Sequence, residues 1–364
     1  MIRNALRAAA SSVAASVDRA AAIALLRRSN RSRARSSAES LGPAERLDRL
    51  AQIRALYDRP EYFADPDLFF PRVAAAAPSG KHVRRYGAHG EVVDVRWPSD
   101  YRAFTREIAA RFESTGAHND TVVARTFIHT DRPRPAVILI HGYAGGHFAL
   151  EERTWPIEWM FRRGLDVAIA VLPFHGARLP LGSRPVFPAS DPRVTIEAFR
   201  QSVHDIRALG EHLAARGSPS VGVMGMSLGG YTTALLATVD ARWSFAVPII
   251  PLASIADVAR DGGRFTGTDL DAARQHEALE RAQSVVSPLA RTPRIASDRV
   301  MVVGAKSDRI TPSAVHAERL ARHFDAPLEL IHGGHLLQFG RGDAFRSIAR
   351  MWARLGLLDP RATE

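Results

Sequence analysis

The chain has no cysteine. Disulfides, thiolate nucleophiles and thiolate metal sites are therefore excluded, while the redox compartment stays open. No apolar run approaches the roughly 20 residues that a membrane-spanning helix needs. No internal repeat is present. No nucleic-acid-binding motif and no interleaving of basic with aromatic residues accompanies the net charge of +11. That charge is unevenly placed. Residues 1–38 hold eight arginines against one acid, Asp18, so they carry +7 of the +11 and the remaining body only +4. A nucleic-acid partner is not expected of such a body.

The basic segment, MIRNALRAAASSVAASVDRAAAIALLRRSNRSRARSS, does not read as a secretory signal. Asp18 and Arg19 split its alanine-rich region, and the apolar run Ala20–Leu26 is short. Its Arg-rich, Ser-rich, acid-poor composition is similar to an organellar transit peptide. It also fits an amphipathic helix touching anionic lipid. The plainest expectation for residues 1–40 is a poorly ordered basic tail. The expected location is then cytoplasmic, peripheral to a membrane if the tail contacts lipid.

What is present is a soluble globular composition, 46% apolar and 24% charged, enough to build a core. Residues 41–90 read as a helical N-terminal extension. Leu47, Leu50, Ile53 and Leu56 recur at three- and four-residue steps after Pro43. AAAAPSG, residues 74–80, reads as a connector. From residue 91 the pattern changes to strands. EVVDVRW (91–97) and TVVARTFI (121–128) lead, followed by short apolar runs at 136–140, 165–172, 220–226, 245–250, 299–304 and 327–332. Helical patterns lie between them, at 151–163, 193–216, 229–239, 312–324 and 342–356. Continuous apolar strands alternating with helices predict an α/β domain over 91–360 with an eight-stranded, mostly parallel sheet. Residues 251–294 interrupt the rhythm and read as a small helical lid.

One stretch of this domain, VGVMGMSLGG (221–230), places Ser227 between Gly225 and Gly229 at the end of an apolar run. Alone, G-x-S-x-G is weak evidence. Three further segments support it. His141-Gly142-Tyr143-Ala144-Gly145-Gly146 follows the strand at 136–140, and its glycines let backbone N–H groups face a ligand. Asp308 follows the strand at 299–304. Gly333-Gly334-His335 follows the strand at 327–332.

With these motifs in that order the chain resembles the α/β-hydrolase fold family over roughly residues 90–356. Serine hydrolases of that family carry nucleophile, acid and histidine after the fifth, seventh and eighth strands. The resemblance implies Ser227 as nucleophile, His335 as general base and Asp308 as its orienting acid. The backbone N–H groups of Tyr143 and Leu228 would stabilise the oxyanion. It further implies an ester, thioester or amide substrate, because dehalogenase and epoxide hydrolase relatives carry Asp at the nucleophile. Shorter stretches, LPFHGARLP, GMSLGG and PIIPLAS, are similar to the abhydrolase domain-containing protein 18 branch, which implies no particular substrate. No cofactor or metal is implied.

Other residues compete for these roles. Asp257, Asp261 and Asp269 lie in the lid and are alternative acids. His332 stands near His335 but at the strand end. His141 reads as a buttress of the oxyanion loop. His147 and His175 are candidate substrate-binding residues, with Tyr143 at the pocket mouth. The function expected is a carboxylic ester hydrolase acting on a small-molecule ester through an acyl-enzyme. The alternatives are a lipase, thioesterase or acyltransferase on lipid-like substrates, or a non-catalytic binding protein of the same fold.

Overall fold

The computed structural model describes residues 13–20, 41–113 and 117–358. A single ten-stranded sheet organises them. Its strands are β1 (Ser79–Arg85), β2 (Gly90–Pro98), β3 (Thr121–His129), β4 (Ala136–Ile140) and β5 (Asp166–Ala170), then β6 (Val221–Met226), β7 (Ala246–Ile249), β8 (Val302–Ala305), β9 (Leu328–Gly333) and β10 (Gln338–Phe339). The spatial order is β1-β2-β3-β5-β4-β6-β7-β8-β9-β10. Pairing is parallel from β5 through β4 and β6 to β9. It is antiparallel at both edges.

The eight expected strands are β2 to β9, and the count of eight is corrected by one strand at each edge. The first, β1, lies inside the region expected to be helical and connecting. Its residues, SGKHVRR, are exposed throughout, so no apolar alternation marks them. Its pairing with β2 is what makes it a strand. The second, β10, is two residues long and closes a hairpin with β9.

The central strands are buried on both faces, which is why they read as unbroken apolar runs. Alternate residues feed two cores. Ile138, Ile140 and Val223 pack with Leu209, Leu235 and Leu320 from helices Pro192–Ala215, Leu228–Val239 and Ala317–Phe324. Val137, Leu139 and Met224 pack with Met160, Ile348 and Trp352 from helices Ile157–Arg162 and Arg341–Arg354. Helices cover both faces of the sheet, giving three layers, and Leu228–Val239 is buried on all sides.

The insertion at 251–294 is helical, with Ile255–Asp261 and Asp269–Ala282 as its two α-helices. Helix Asp269–Ala282 packs against Pro43–Tyr57 of the N-terminal extension. Ser284 bonds Asp58 at 3.1 Å, which ties the two regions together. Of the basic tail, residues 13–20 form a helix whose Ala14 and Asp18 are fully buried. The rest of the expected basic tail, 1–40, lies outside the described residues. No helix among the described residues is long and apolar enough to cross a membrane.

Candidate active site

Ser227 sits where β6 turns into helix Leu228–Val239, with φ 55° and ψ −114°. A non-glycine residue at positive φ is strained. Two features hold it there. The Ser227 N–H donates to the Ile249 carbonyl at 2.9 Å. The flanking glycines allow strand and helix to close on each other: a Cβ on Gly225 would lie 2.1 Å from the Gly229 carbonyl oxygen, and one on Gly229 would lie 2.1 Å from that of Ile140. The spacing of G-x-S-x-G is thus a packing requirement of this turn.

Asp308 and His335 come from the loops after β8 and β9, at the same sheet edge. His335 Nε2 lies 2.9 Å from Ser227 Oγ, and Nδ1 lies 2.8 Å from Asp308 Oδ2. Both Asp308 and His335 are buried, while Ser227 is half-buried. The other Asp308 oxygen accepts the N–H groups of Ile310 at 2.8 Å and Thr311 at 2.7 Å. These bonds aim the remaining oxygen at the imidazole. In this arrangement Nδ1 carries the proton toward Asp308, and Nε2 is free to accept the serine proton.

Sequence reasoning missed Thr311. Its hydroxyl lies 3.0 Å from both Asp308 Oδ2 and His335 Nδ1, bridging the two side chains. It also missed Glu151. That buried carboxylate accepts the Gly146 N–H at 2.9 Å and the Trp155 indole N–H at 3.2 Å, and so holds the glycine loop. Burial raises its pKa. A glutamate opposite free loop N–H groups was a readable signal only once the loop's shape was known.

His141 supports the same loop. Its Nδ1–H donates to the Gly142 carbonyl at 2.7 Å, and Nε2 accepts the Leu172 N–H at 3.0 Å. Burial pushes its pKa down to about 4, so the ring is neutral and keeps both bonds. Gly142 lies against Ser227, and Tyr143 follows it with an exposed side chain. Among the described residues, neither the Tyr143 nor the Leu228 backbone N–H donates to a backbone carbonyl. Both remain available to a ligand oxygen.

The two expected substrate-binding histidines fare differently. His147 is exposed at the start of helix Phe148–Thr154. His175 is fully buried, its ring 5.8 Å from that of Tyr143 and 5.2 Å from that of His141. It underlies Tyr143 from the protein side, with no surface of its own exposed. Burial, and then the neighbouring His141, push its pKa down to about 3. Asp257 is no rival to Asp308, because it is engaged by Arg319 at 2.7 Å, Arg260 at 2.9 Å and His276 at 2.9 Å. Asp257, His276 and Glu280 lie within 4.8 Å of one another, as metal ligands would. With two arginines on Asp257 and Ser254 on Glu280, this group is a salt-bridge network.

No family model matches the chain. Over 243 residues it is 29% identical to an uncharacterised protein of Mycobacterium tuberculosis, found in two strains. The match covers 64% of this chain and 57% of that protein, so the chain spans little more than half the length of its curated relative. Among solved structures, acetyl xylan esterase 1 from Thermoanaerobacterium superposes with a TM-score of 0.55 at 18% identity, covering 83% of this chain and 98% of that one. An acetyl xylan esterase from Paenibacillus gives 0.54 at 16%, covering 83% and 92%. A cold-adapted esterase from an Arctic intertidal metagenomic library gives 0.50 at 16%, covering 78% and 100%. The chain has the α/β-hydrolase fold.

Proposed function

We propose that the protein is a serine hydrolase cleaving carboxylic esters through an acyl-enzyme. The observation that carries this reading is the unbroken contact line from Asp308 through His335 to Ser227, at 2.8 and 2.9 Å, ending on a serine in a strained turn. A serine hydroxyl is a poor nucleophile and needs a base in reach. His335 Nε2 takes the Oγ proton as Oγ bonds to the ester carbonyl carbon. The carbonyl oxygen becomes an oxyanion facing the Tyr143 and Leu228 N–H groups, each such donor being worth about 3 kcal/mol. The C–O bond then breaks, and His335 returns the proton to the leaving alcohol. Water repeats the sequence, donating its proton to His335, and frees the acid. Asp308 stabilises the imidazolium throughout without itself taking the proton.

The rim is compatible with a small ester. Tyr143 and Leu336 stand exposed on the loops that carry the oxyanion N–H and the histidine. Apolar groups at these places suit a small or medium acyl chain. The expected outcome is turnover of p-nitrophenyl acetate or butyrate that vanishes in Ser227→Ala. Full turnover in that variant, or no labelling of the wild-type serine by a fluorophosphonate, would overturn the reading.

A further inference from the structure

Among the buried acids outside this mechanism, one lies against the loops of the site. Asp18, on the helix over 13–20, is fully buried against the loop of His335. Its Oδ2 accepts the backbone N–H of His335 at 2.5 Å and of Arg309 at 3.3 Å, and its Oδ1 accepts that of Leu336 at 3.0 Å. These donors come from both loops of the site: Arg309 follows Asp308, and Leu336 follows His335. Gly334 makes room for the carboxylate, since a Cβ there would lie 2.2 Å from Asp18 Oδ2. Among the described residues 13–20, Ala14, one turn earlier on the same face, is also buried, while Val13, Val17 and Arg19 are exposed.

We infer that Asp18 is a positioning residue, and that the N-terminal helix is a working part of the site, with docking of this one carboxylate setting His335 for Ser227. Three N–H groups converging on one anion make charge-assisted bonds, shorter and stronger than neutral ones. They fix the acid loop and the histidine loop relative to each other. With the carboxylate gone, the three donors turn to water and the histidine loop gains freedom. A displacement on the order of 1 Å at a reacting group costs ~100-fold in rate. The Ser227 side, built on β6 and its helix, is untouched by the loss.

This inference rests on the esterase reading, so the test keeps the two apart. In the full chain, Asp18→Ala is expected to lower kcat 10–100-fold with KM within about twofold, and added formate should restore part of kcat. Formate should leave wild type and His335→Ala unchanged. Amide hydrogen exchange of residues 333–337 should rise in Asp18→Ala, whatever the activity. If the alanine variant does not fold, Asp18→Asn, which keeps the volume but turns an N–H₂ toward the donors, takes its place and should likewise lower kcat with KM little changed. Wild-type kcat in a variant, or a raised KM at unchanged kcat, would overturn the positioning role. If wild type turns over no ester, the hydrolase reading fails, and exchange at 333–337 alone decides whether Asp18 holds the loop. Unchanged exchange there overturns it.

Discussion

Ser227 and His335 meet at 2.9 Å, but the chain holds them by different means. Ser227 is placed by steric closure: a strained dihedral, with glycines on either side that a single methyl group would push apart. His335 is placed by hydrogen bonds from distant residues, namely Asp308, Thr311 and Asp18. The first kind of placement is local and unforgiving. The second is spread over three segments and divides into separable steps. Mutating each side in turn should give different signatures, with folding suffering on the serine side and rate on the histidine side.

The largest effect on rate tests the point where both sides meet. Ser227→Ala removes the proposed nucleophile, and kcat should fall by about 10⁶-fold with the fold intact, as loss of a triad serine does elsewhere. Thermal unfolding of the variant should match wild type or lie slightly above it, because the strained turn tolerates alanine no worse than serine. Asp308→Asn comes next. It keeps the contact but presents an N–H₂ where an acceptor is needed, turning the imidazole to the wrong tautomer, and kcat should drop by about 10⁴-fold. Steady-state kinetics on p-nitrophenyl butyrate measure both. A drop in Asp308→Asn smaller than about tenfold would mean that another group orients His335.

Gly229→Ala tests the steric side by itself. The added Cβ would lie 2.1 Å from the Ile140 carbonyl oxygen and 2.6 Å from that of His141. Backbone on both sides leaves nothing flexible to yield. A stability loss of about 3 kcal/mol or more is expected, seen as a fall of several degrees in Tm or as insoluble protein. An unchanged Tm with normal activity would show that the turn is looser than its contacts indicate.

The same contrast decides what could be read in advance. Gly225, Ser227 and Gly229 stand within five residues, so a steric requirement leaves its imprint as spacing in the chain. The parallel strands were legible because burial on both faces removes polar residues from them. The edge strand β1 was not, since its exposed side chains follow no apolar period and only pairing with β2 defines it. Thr311 was missed because a threonine after a turn has many uses, and its bond to His335 depends on a loop that folds back from β9. Asp18 had the weakest signal of all. It lay in a basic tail 317 residues from its partner His335, and its only mark was to be the lone acid of residues 1–38. Buried pairs such as Arg178 with Asp205 and Arg207 with Asp240 were likewise hidden, because an arginine's sequence context does not reveal whether an acid faces it.

The loop on the serine side carries its own pH signature. His141 and His175 are buried and neutral, with pKa values pushed down to about 4 and about 3. In the unfolded chain each titrates near ~6.5. Between these values the unfolded state binds more protons, so stability is fully present above ~6.5 and is lost as pH falls toward the folded-state values. The slope should approach ~1.4 kcal/mol per pH unit for each histidine. Urea midpoints at pH 7.5, 6.0 and 5.0 should fall in that order, and substituting His175 by Phe should make the dependence shallower. A flat profile would mean that these rings accept protons in the folded state.

The smallest effect belongs to Thr311, on the hydrogen-bonded side. Thr311→Val keeps the shape and removes one hydroxyl, which lies 3.0 Å from both Asp308 Oδ2 and His335 Nδ1. Asp308 would retain the Ile310 and Thr311 N–H groups on its other oxygen, so it stays anchored. What weakens is the aim of Oδ2 at the imidazole. A typical intramolecular hydrogen bond contributes about 0.5–1.5 kcal/mol net, and only its share in aiming Oδ2 reaches the rate, so kcat should fall roughly 2- to 12-fold. KM should not move, because the hydroxyl sits behind the imidazole, away from Ser227. Thr311→Ser should recover most of the rate, since it restores the hydroxyl without the methyl group. If Thr311→Ser is as slow as Thr311→Val, packing of the methyl group is what matters, and the histidine side would depend on steric fit as the serine side does.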